Sequence, residues 1–288
     1  MRRFLIACLA LIATALPLRA EPLKVVASFS ILGDLVRNVG GNGVEVATLV
    51  GPDSDAHVYS PTPADAKKIV DAKLIVVNGL GFEGWLPRLA QSAGSKASIV
   101  TATDGIAPLR LGSDADPHAW QSVGNAKIYV ANIRAALSAA DPAGAGQYRA
   151  NADSYLAKLD ALDREARDAI AKIPPARRKV ISTHNAFGYF AAAYGIEFIA
   201  PLGVSTESEP SARDIAKIIT QIRQAKIPAV FLENVSDPRL MQRISAETGA
   251  KVGGTLYSDG LTGEKGAAPT YIDMVRHNIR ALTRALGD

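Results

Sequence analysis

Apolar and polar positions between residues 23 and 118 follow a pattern that predicts strands alternating with helices. Short runs rich in valine and isoleucine are typical of strands that a parallel sheet buries on both faces. Such runs occupy residues 24–29, 44–50, 74–77 and 98–100. Helices are predicted after the first three runs, at 31–39, 63–70 and 85–93, and an irregular stretch then leads to residue 118. The alternation favours an α/β fold whose parallel sheet carries helices on both sides.

The same alternation resumes after residue 178. Strands are predicted at 179–183, 196–199, 229–233 and 251–256. Helices are predicted between and after these strands, at 186–194, 211–225, 237–248 and 270–286. Both halves of the chain therefore contain four predicted strands with similar connections, although no convincing sequence repeat relates the halves.

Residues 142–173 separate the two halves and carry no strand signal. Pro142 opens this stretch, and Pro174 follows it directly. One apolar stripe recurs at every third or fourth position: Tyr148, Ala152, Tyr155, Leu159, Leu162, Ala166 and Ile170. A helix of roughly 30 residues would be about 45 Å long. We interpret the stretch as a rigid helix that joins two lobes; a coiled-coil dimerisation segment is the alternative.

These patterns predict an α/β fold of two lobes, each a roughly four-stranded parallel sheet flanked by helices, joined by one long rigid α-helix. The predicted divisions are a signal peptide at 1–20, an N-terminal lobe at 21–141, the linking helix at 142–173 and a C-terminal lobe at 174–288. Among the turns around His57, His118 and Asp259, the Gly-rich segment 258–268 is expected to be the most mobile.

The predicted signal peptide has the three expected parts. Arg2 and Arg3 provide a positive start, residues 4–16 form an apolar run, and small residues mark a cleavage site near residue 20. The apolar run is too short to span a bilayer, which predicts an exported, periplasmic protein. Cys8, in LIAC, faintly resembles the cysteine of a lipoprotein box, so lipidation there is the alternative.

Removal of this segment changes what the composition implies. The whole chain carries 32 basic and 28 acidic residues, whereas the predicted mature chain carries 29 basic residues against the same 28 acids. A nearly neutral chain gives no argument for binding nucleic acid. The chain's one cysteine is Cys8, so the mature protein would contain no thiol and no disulfide. Any metal site must then use nitrogen and oxygen ligands.

Three of the four histidines occupy turns in which binding groups are expected. His57 lies in DSDAHVYSPTP, His118 lies in DADPHAW, and His184 lies just past the strand that ends near residue 183. Open α/β sheets place their binding groups at the carboxyl ends of strands. Asp259, in YSDGL, follows a strand in the same way, although an ordinary Asp-Gly turn is the alternative. The scarce histidine ligands suggest a metal site, whereas His277, in the last helix, is interpreted as a solvated face residue.

Five motifs give the chain a resemblance to the metal-binding solute-binding proteins of ABC transporters, called cluster A-I or cluster 9, and especially to their zinc-specific members. The motifs are HVYSPTP from His57, NGLGFEGWL at 78–86, DPHAW at 116–120, THNAFGYF around His184 and YSDGL around Asp259. The resemblance covers essentially the whole mature chain, and a long helix between two four-stranded lobes is typical of that family.

The resemblance implies a metal bound in the cleft by His57 and His118 of the first lobe and by His184 and Asp259 of the second. Manganese-selective relatives carry a glutamate where this chain has His184. Three imidazoles and one carboxylate suit four-coordinate zinc, whereas manganese prefers more oxygen ligands. The implied function is high-affinity capture of Zn(II) as a transported ligand. A monomer would deliver it to a membrane ABC permease with its ATPase, without any nucleic-acid partner.

The chain departs from many zinc-specific members at one place. They carry a long His- and Asp-rich loop before the second ligand, whereas residues 105–115 here are short and contain no histidine. Any metal-scavenging role of that loop is then absent or falls to another protein, such as a periplasmic zinc chaperone.

Three other functions are weighed against zinc transport. The first is a manganese- or iron-binding member of the same family. The second is a secreted zinc hydrolase, in which Asp259 would act as general base beside three zinc ligands. The third is an adhesin or structural protein that keeps the fold but not the transport role. The sequence contains neither an HExxH nor a GxSxG motif, which disfavours the hydrolase.

Overall fold

The computed structural model of the protein describes residues 21–287, in which two four-stranded sheets form the centres of two lobes. Neighbouring strands in both sheets are parallel, which confirms the predicted α/β architecture. The predicted signal peptide at 1–20, with Cys8, lies outside the described residues. Between residues 21 and 287, no helix has both the length and the apolar character needed to cross a membrane.

The sheet of the first lobe has the strand order β2-β1-β3-β4. Its strands are β1 (Leu23–Phe29), β2 (Val44–Val50), β3 (Leu74–Val77) and β4 (Ser98–Thr101). The first three strands are followed by helices α1 (Ser30–Gly40), α2 (Pro63–Asp71) and α3 (Leu86–Ser92). All four residues of β3 are buried, as its unbroken apolar run predicted.

The start of α2 is fixed by a reciprocal capping box. The side chain of Thr62 accepts a hydrogen bond from Asp65 N–H, and the Asp65 carboxylate accepts one from Thr62 N–H at 2.9 Å. Pro63 occupies the first helical turn, where its missing N–H costs nothing. Asp65 also accepts a hydrogen bond from the Tyr59 hydroxyl at 2.7 Å. The turn that carries His57 is therefore anchored to the start of α2.

The first lobe ends in a helix that the sequence analysis missed, α4 (Val123–Ala140). Ser122 caps this helix by accepting a hydrogen bond from Asn125 N–H. Its buried residues recur at helical spacing: Val123, Ala126, Tyr129, Val130, Ile133 and Leu137. The irregular stretch predicted before residue 118 contains a short antiparallel hairpin of β5 (Arg110–Leu111) and β6 (Asp114–Ala115).

The sheet of the second lobe has the order β10-β9-β7-β8. Its strands are β7 (Lys179–Ile181), β8 (Glu197–Ile199), β9 (Ala229–Glu233) and β10 (Lys251–Leu256). Its helices are α6 (Gly188–Tyr194), α7 (Ala212–Ala225), α8 (Arg239–Thr248) and α9 (Tyr271–Leu286). Strand β7 ends two residues earlier than predicted because Thr183 N–H and His184 N–H donate to the Glu233 carboxylate.

The long helix predicted between the lobes is α5 (Ala145–Ala171). All seven residues of its predicted apolar stripe are buried. The helix packs against α1 and α4 of the first lobe and against α9 of the second, and one continuous apolar core includes side chains from all of these elements. Because the two lobes cover the stripe, it leaves no apolar seam for the alternative coiled-coil dimer.

The prediction that His277 lies on a solvated face was wrong. The side chain is half-buried, and its Nε2 lies 3.0 Å from the carbonyl oxygen of Thr255. Its ring packs edge-on against Tyr257, with 4.8 Å between centroids. Burial lowers the pKa of His277, as does the nearby positive charge of Arg280. His277 therefore fastens α9 to the end of β10.

Candidate metal centre

Four side chains from four separate turns converge between the lobes. His57 lies in the turn after β2, and His118 lies directly before the short helical turn Ala119–Gln121. His184 follows β7 and Asp259 follows β10, so both lie at the carboxyl ends of parallel strands. His118, His184 and Asp259 are buried, and His57 is the most exposed of the four residues. The structure thus brings together all four side chains that the sequence analysis singled out.

The separations between their donor atoms are short. His57 Nε2 lies 3.2 Å from His118 Nε2 and 3.5 Å from Asp259 Oδ2. His184 Nε2 lies 3.1 Å from Asp259 Oδ2, and His118 Nε2 lies 3.5 Å from Asp259 Oδ1. One donor atom from each residue lies within 4.8 Å of the other three. Within the described part of the chain, neither carboxylate oxygen of Asp259 has a hydrogen-bond partner. A buried carboxylate that faces three imidazole nitrogens fits one metal ion.

A carboxylate orients the imidazole of His118. Asp116 Oδ1 lies 2.8 Å from His118 Nδ1 and also accepts a hydrogen bond from His118 N–H at 2.9 Å. A proton on Nδ1 that points to this carboxylate leaves the lone pair of Nε2 free for a metal. The motif DPHAW therefore supplies both a candidate ligand and the group that sets its tautomer.

The carboxylate of Glu233 orients the imidazole of His184 in the same way. The sequence analysis did not identify Glu233. Its Oε2 lies 2.5 Å from His184 Nδ1, and both side chains are fully buried. Glu233 is the last residue of β9, so it lies at the sheet edge that carries the site. An acidic residue that ends an apolar strand was the available signal, but nothing in the sequence paired it with His184.

The pKa values of the two buried histidines, His118 and His184, are shifted in opposite directions. Burial lowers the pKa of His118 despite the nearby carboxylates of Asp259 and Asp116. Burial also opposes a charge on His184, but Glu233 and Asp259 outweigh it and raise the pKa of His184 well above its ordinary value. Burial likewise disfavours ionised Asp259, yet His184 and His118 hold the pKa of Asp259 well below its usual range. These shifts favour the neutral form of His118, the ionised form of Asp259 and the protonated form of His184, so a metal that bound His184 would compete with a proton.

The turn that carries Asp259 is held by the first lobe. The carbonyl oxygen of Ser258 accepts hydrogen bonds from Trp120 Nε1 at 2.8 Å and from Gln121 Nε2 at 2.7 Å. Both donors belong to the helical turn that follows His118. A candidate ligand of the second lobe is thereby held next to a candidate ligand of the first.

Segment 258–268, which was expected to be the most mobile turn, is buried in its first half. Residues 258–262 are buried, whereas residues 263–267 are exposed. Leu261 N–H donates to Ser30 Oγ at 2.9 Å, and Asp53 N–H donates to the Leu261 carbonyl at 2.8 Å. These bonds join the two lobes beside Asp259.

The motif NGLGFEGWL supports both histidines of the first lobe. Asn78 Nδ2 donates to the carbonyl of Pro117 at 2.9 Å, directly before His118. Trp85 Nε1 donates to the carbonyl of Ala56 at 2.9 Å, directly before His57. The motif therefore does not supply a donor atom but holds the backbone beside two of them.

A cleft of about 810 Å³ opens beside His57. Phe82 and Trp85 line it from the first lobe, and Ser205 lines it from the second. The side chain of His57 is 5% exposed, whereas the side chains of His118 and Asp259 are 0% exposed. Of the four candidate ligands, His57 is therefore the one that borders the cleft.

Known proteins resemble this chain over nearly its whole length. Residues 25–285 match the family described as zinc-uptake complex component A, periplasmic (ZnuA). The iron-binding protein YfeA of Yersinia pestis is 37% identical over 273 residues, which cover 93% of this chain and 88% of YfeA. The manganese-binding lipoprotein MntA of Halalkalibacterium halodurans is 35% identical, over 92% of this chain and 89% of MntA.

Solved structures show the same fold. The periplasmic zinc binding protein TroA from Treponema pallidum superposes with a TM-score of 0.88 at 31% identity, covering 93% of this chain and all of TroA (100%). A manganese-bound periplasmic metal binding protein from Candidatus Liberibacter asiaticus superposes with a TM-score of 0.84 at 34% identity, covering 92% of this chain and 100% of that protein. The chain therefore belongs to the ZnuA family, the cluster A-I metal-binding proteins that serve ABC transporters as substrate-binding components and are not enzymes.

Proposed function

We propose that this protein captures zinc with high affinity between its lobes and delivers it to a membrane ABC permease with its ATPase. Its family makes it a periplasmic metal-binding component of an ABC transporter. The observation that carries the choice of zinc is the set of donors, which consists of His57, His118, His184 and Asp259. Zinc accepts three imidazoles and one carboxylate in a four-coordinate shell, whereas manganese prefers more oxygens and more ligands.

The spacing of the donor atoms supports this proposal. In a tetrahedral shell with bonds of about 2.0–2.1 Å, two ligand atoms lie roughly 3.3–3.4 Å apart. Four separations between donor atoms of the site are 3.2, 3.5, 3.5 and 3.1 Å. A single set of four donor atoms spreads over up to 4.8 Å, so zinc would draw some of these side chains closer together.

His184 is the position that favours zinc over manganese. The family resemblance implies a glutamate here in manganese-selective relatives, so this chain offers a neutral nitrogen in place of an anionic oxygen. That exchange lowers the negative charge of the site and makes its donors softer, and both changes favour zinc. TroA, at 31% identity, is named a zinc binding protein.

An iron- or manganese-binding role is the second candidate. It is favoured by the names of YfeA and MntA, which are 37% and 35% identical to this chain. Both oxygens of Asp259 face the imidazoles, so a bidentate carboxylate would offer a fifth donor to an ion with a larger shell.

Export and partners belong to the same proposal. Residues 1–20 would be removed as a signal peptide; lipidation at Cys8 is the alternative, since MntA and other relatives are named lipoproteins.

One chain supplies all four proposed donors, so a monomer suffices. Residues 105–115 contain no histidine, which leaves metal scavenging to another protein such as a periplasmic zinc chaperone. Lobes at 21–141 and 174–288 would flank a linker at 142–173.

Equilibrium titration of the metal-free protein, against a chelator of known affinity, tests this function. We expect one tight zinc ion per chain and much weaker binding of manganese. Two or more tight zinc ions, or a preference for manganese or iron, would contradict the proposal.

A further inference from the structure

We propose that residues 202–206 form a strap that fastens the two lobes over the metal centre, and that Asp55 and Thr206 are positioning residues that slow metal release. The inference rests on the proposed function, since it concerns how the same site retains its ion. It assigns a role to two residues that supply no donor atom to the site.

Asp55 connects the His57 turn to the opposite lobe. Its Oδ1 accepts a hydrogen bond from His57 N–H at 2.8 Å, and its Oδ2 accepts one from Thr206 Oγ1 at 2.6 Å. One carboxylate thus holds the backbone of a metal-site histidine and a hydroxyl that lies 151 residues further along the chain.

The other end of the strap is fastened on both sides of His184. Leu202 N–H donates to the Thr183 carbonyl at 3.4 Å, and Asn185 N–H donates to the Gly203 carbonyl at 2.9 Å. The strap therefore links the turn that carries His184 in the second lobe to the turn that carries His57 in the first. Any separation of these two turns must break one of its ends.

The attachment of the strap to Asp55 is weaker than its attachment to the His184 turn. The cleft of about 810 Å³ borders the strap at Val204 and Ser205, and a smaller cavity of about 180 Å³ borders it at Leu202 and Thr206. Open space on both sides means that side-chain packing does little to hold the strap. Among the hydrogen bonds of the described residues, the one from Thr206 to Asp55 is the one that joins the strap to the first lobe.

This arrangement bears on release because His57 is the donor that borders the open cleft. While Asp55 is held by Thr206, the His57 backbone is fixed and its imidazole remains oriented towards the ion. Without the strap, the His57 imidazole can rotate away from the ion, so its bond to the ion is the first to break. Water can then enter the coordination shell. A fixed first-lobe ligand should therefore lower the dissociation rate more than it raises the association rate.

The test compares zinc dissociation rates of Thr206 variants, measured by mixing the zinc-loaded protein with excess chelator. Thr206→Val replaces the hydroxyl by a methyl group at nearly constant volume, and we expect release about tenfold faster, the size expected for a lost hydrogen bond to a carboxylate. Thr206→Ser keeps the hydroxyl and should restore the wild-type rate. Thr220→Val is the matched control, since the Thr220 hydroxyl bonds the Ala216 carbonyl on exposed α7.

Two results would overturn the strap while leaving zinc binding intact. One is wild-type release from Thr206→Val in a protein that still binds one zinc ion tightly. The other is a Thr206→Ser variant that releases zinc as fast as Thr206→Val, which would mean that the loop has merely been disturbed. If the wild-type chain itself binds no zinc tightly, the proposed function and the strap are both wrong.

Discussion

Glu233 Oε2 lies 2.5 Å from His184 Nδ1, and both side chains are fully buried. The other oxygen of the same carboxylate accepts hydrogen bonds from the backbone N–H groups of Thr183 and His184. One acidic side chain therefore shapes the turn, raises the pKa of His184 together with Asp259, and directs Nε2 towards the site.

Glu233→Gln tests this relationship. The amide of glutamine can donate a hydrogen bond to His184 Nδ1, which would place the imidazole proton on Nε2, the atom proposed to bind the metal. We expect zinc affinity to fall at least tenfold, with one site still present, as measured by chelator competition. Glu197→Gln, on an exposed carboxylate that pairs with Lys179, is the matched control and should bind zinc like wild type. Equal affinities for the two variants would show that Glu233 does not tune the ligand.

His184→Ala removes one of the four proposed bonds and opens a position to water. We expect zinc affinity to fall at least tenfold, because a closed tetrahedral shell becomes a three-ligand site. His277→Ala should keep wild-type affinity within error, since His277 holds Thr255 and faces no donor atom of the site. If titration shows the same affinity for both variants, the ligand assignment is wrong.

Zinc binding should weaken as the pH falls, because a metal and a proton compete for the same imidazole nitrogen. Ordinary histidines would give a steep loss of affinity between roughly pH 6.5 and 5. The raised pKa of His184 adds a proton that zinc must displace near pH 7, so the loss begins above that window. The lowered pKa of His118 keeps that ligand neutral and delays its contribution to lower pH.

Calorimetric titration in buffers of different ionisation enthalpy measures the number of protons that are released when zinc binds. We expect about one proton released per zinc ion at neutral pH, and we expect His184→Ala to lose it. No proton release at pH 7 and a flat affinity profile down to pH 5 would indicate that oxygen donors dominate the site.

Zinc should stabilise the fold without a large swing of the lobes. A ligand at 100 times its dissociation constant adds about 2.7 kcal/mol to the free energy of unfolding, so the melting temperature should rise. Helix α5 packs on both lobes and the apolar core is continuous between them, which opposes hinge motion. Protection from hydrogen exchange should therefore concentrate in the turns around His57, His118 and Asp259. Solution scattering that shows a clear closure of the lobes on zinc addition would contradict this expectation.

The strands of both lobes were predictable because parallel sheets bury continuous apolar runs, such as the fully buried Leu74–Val77. Helix α4 could also have been predicted from the sequence. Ser122 gives a capping signal, and the buried residues from Val123 to Leu137 recur at helical spacing. Alanines fill much of the rest of this helix, which weakens the contrast between its buried and exposed faces and hides the pattern.

The four candidate ligands were easier to find in the sequence than the residues that support them. Histidine is scarce here, with four in the chain, so three in similar turns stand out. Carboxylates are common, with 28 in the chain, and Glu233 and Asp55 act on His184 and His57 through contacts that depend on the folded chain. Sequence spacing alone gives no measure of such contacts.

Metal content under direct competition tests the central claim, that His57, His118, His184 and Asp259 form one site that selects zinc. The metal-free protein is dialysed against zinc and manganese at equal concentrations, freed of unbound ions and analysed for both elements. The account predicts one zinc ion per chain and almost no manganese. Manganese in the majority, or more than one zinc ion per chain, would contradict it.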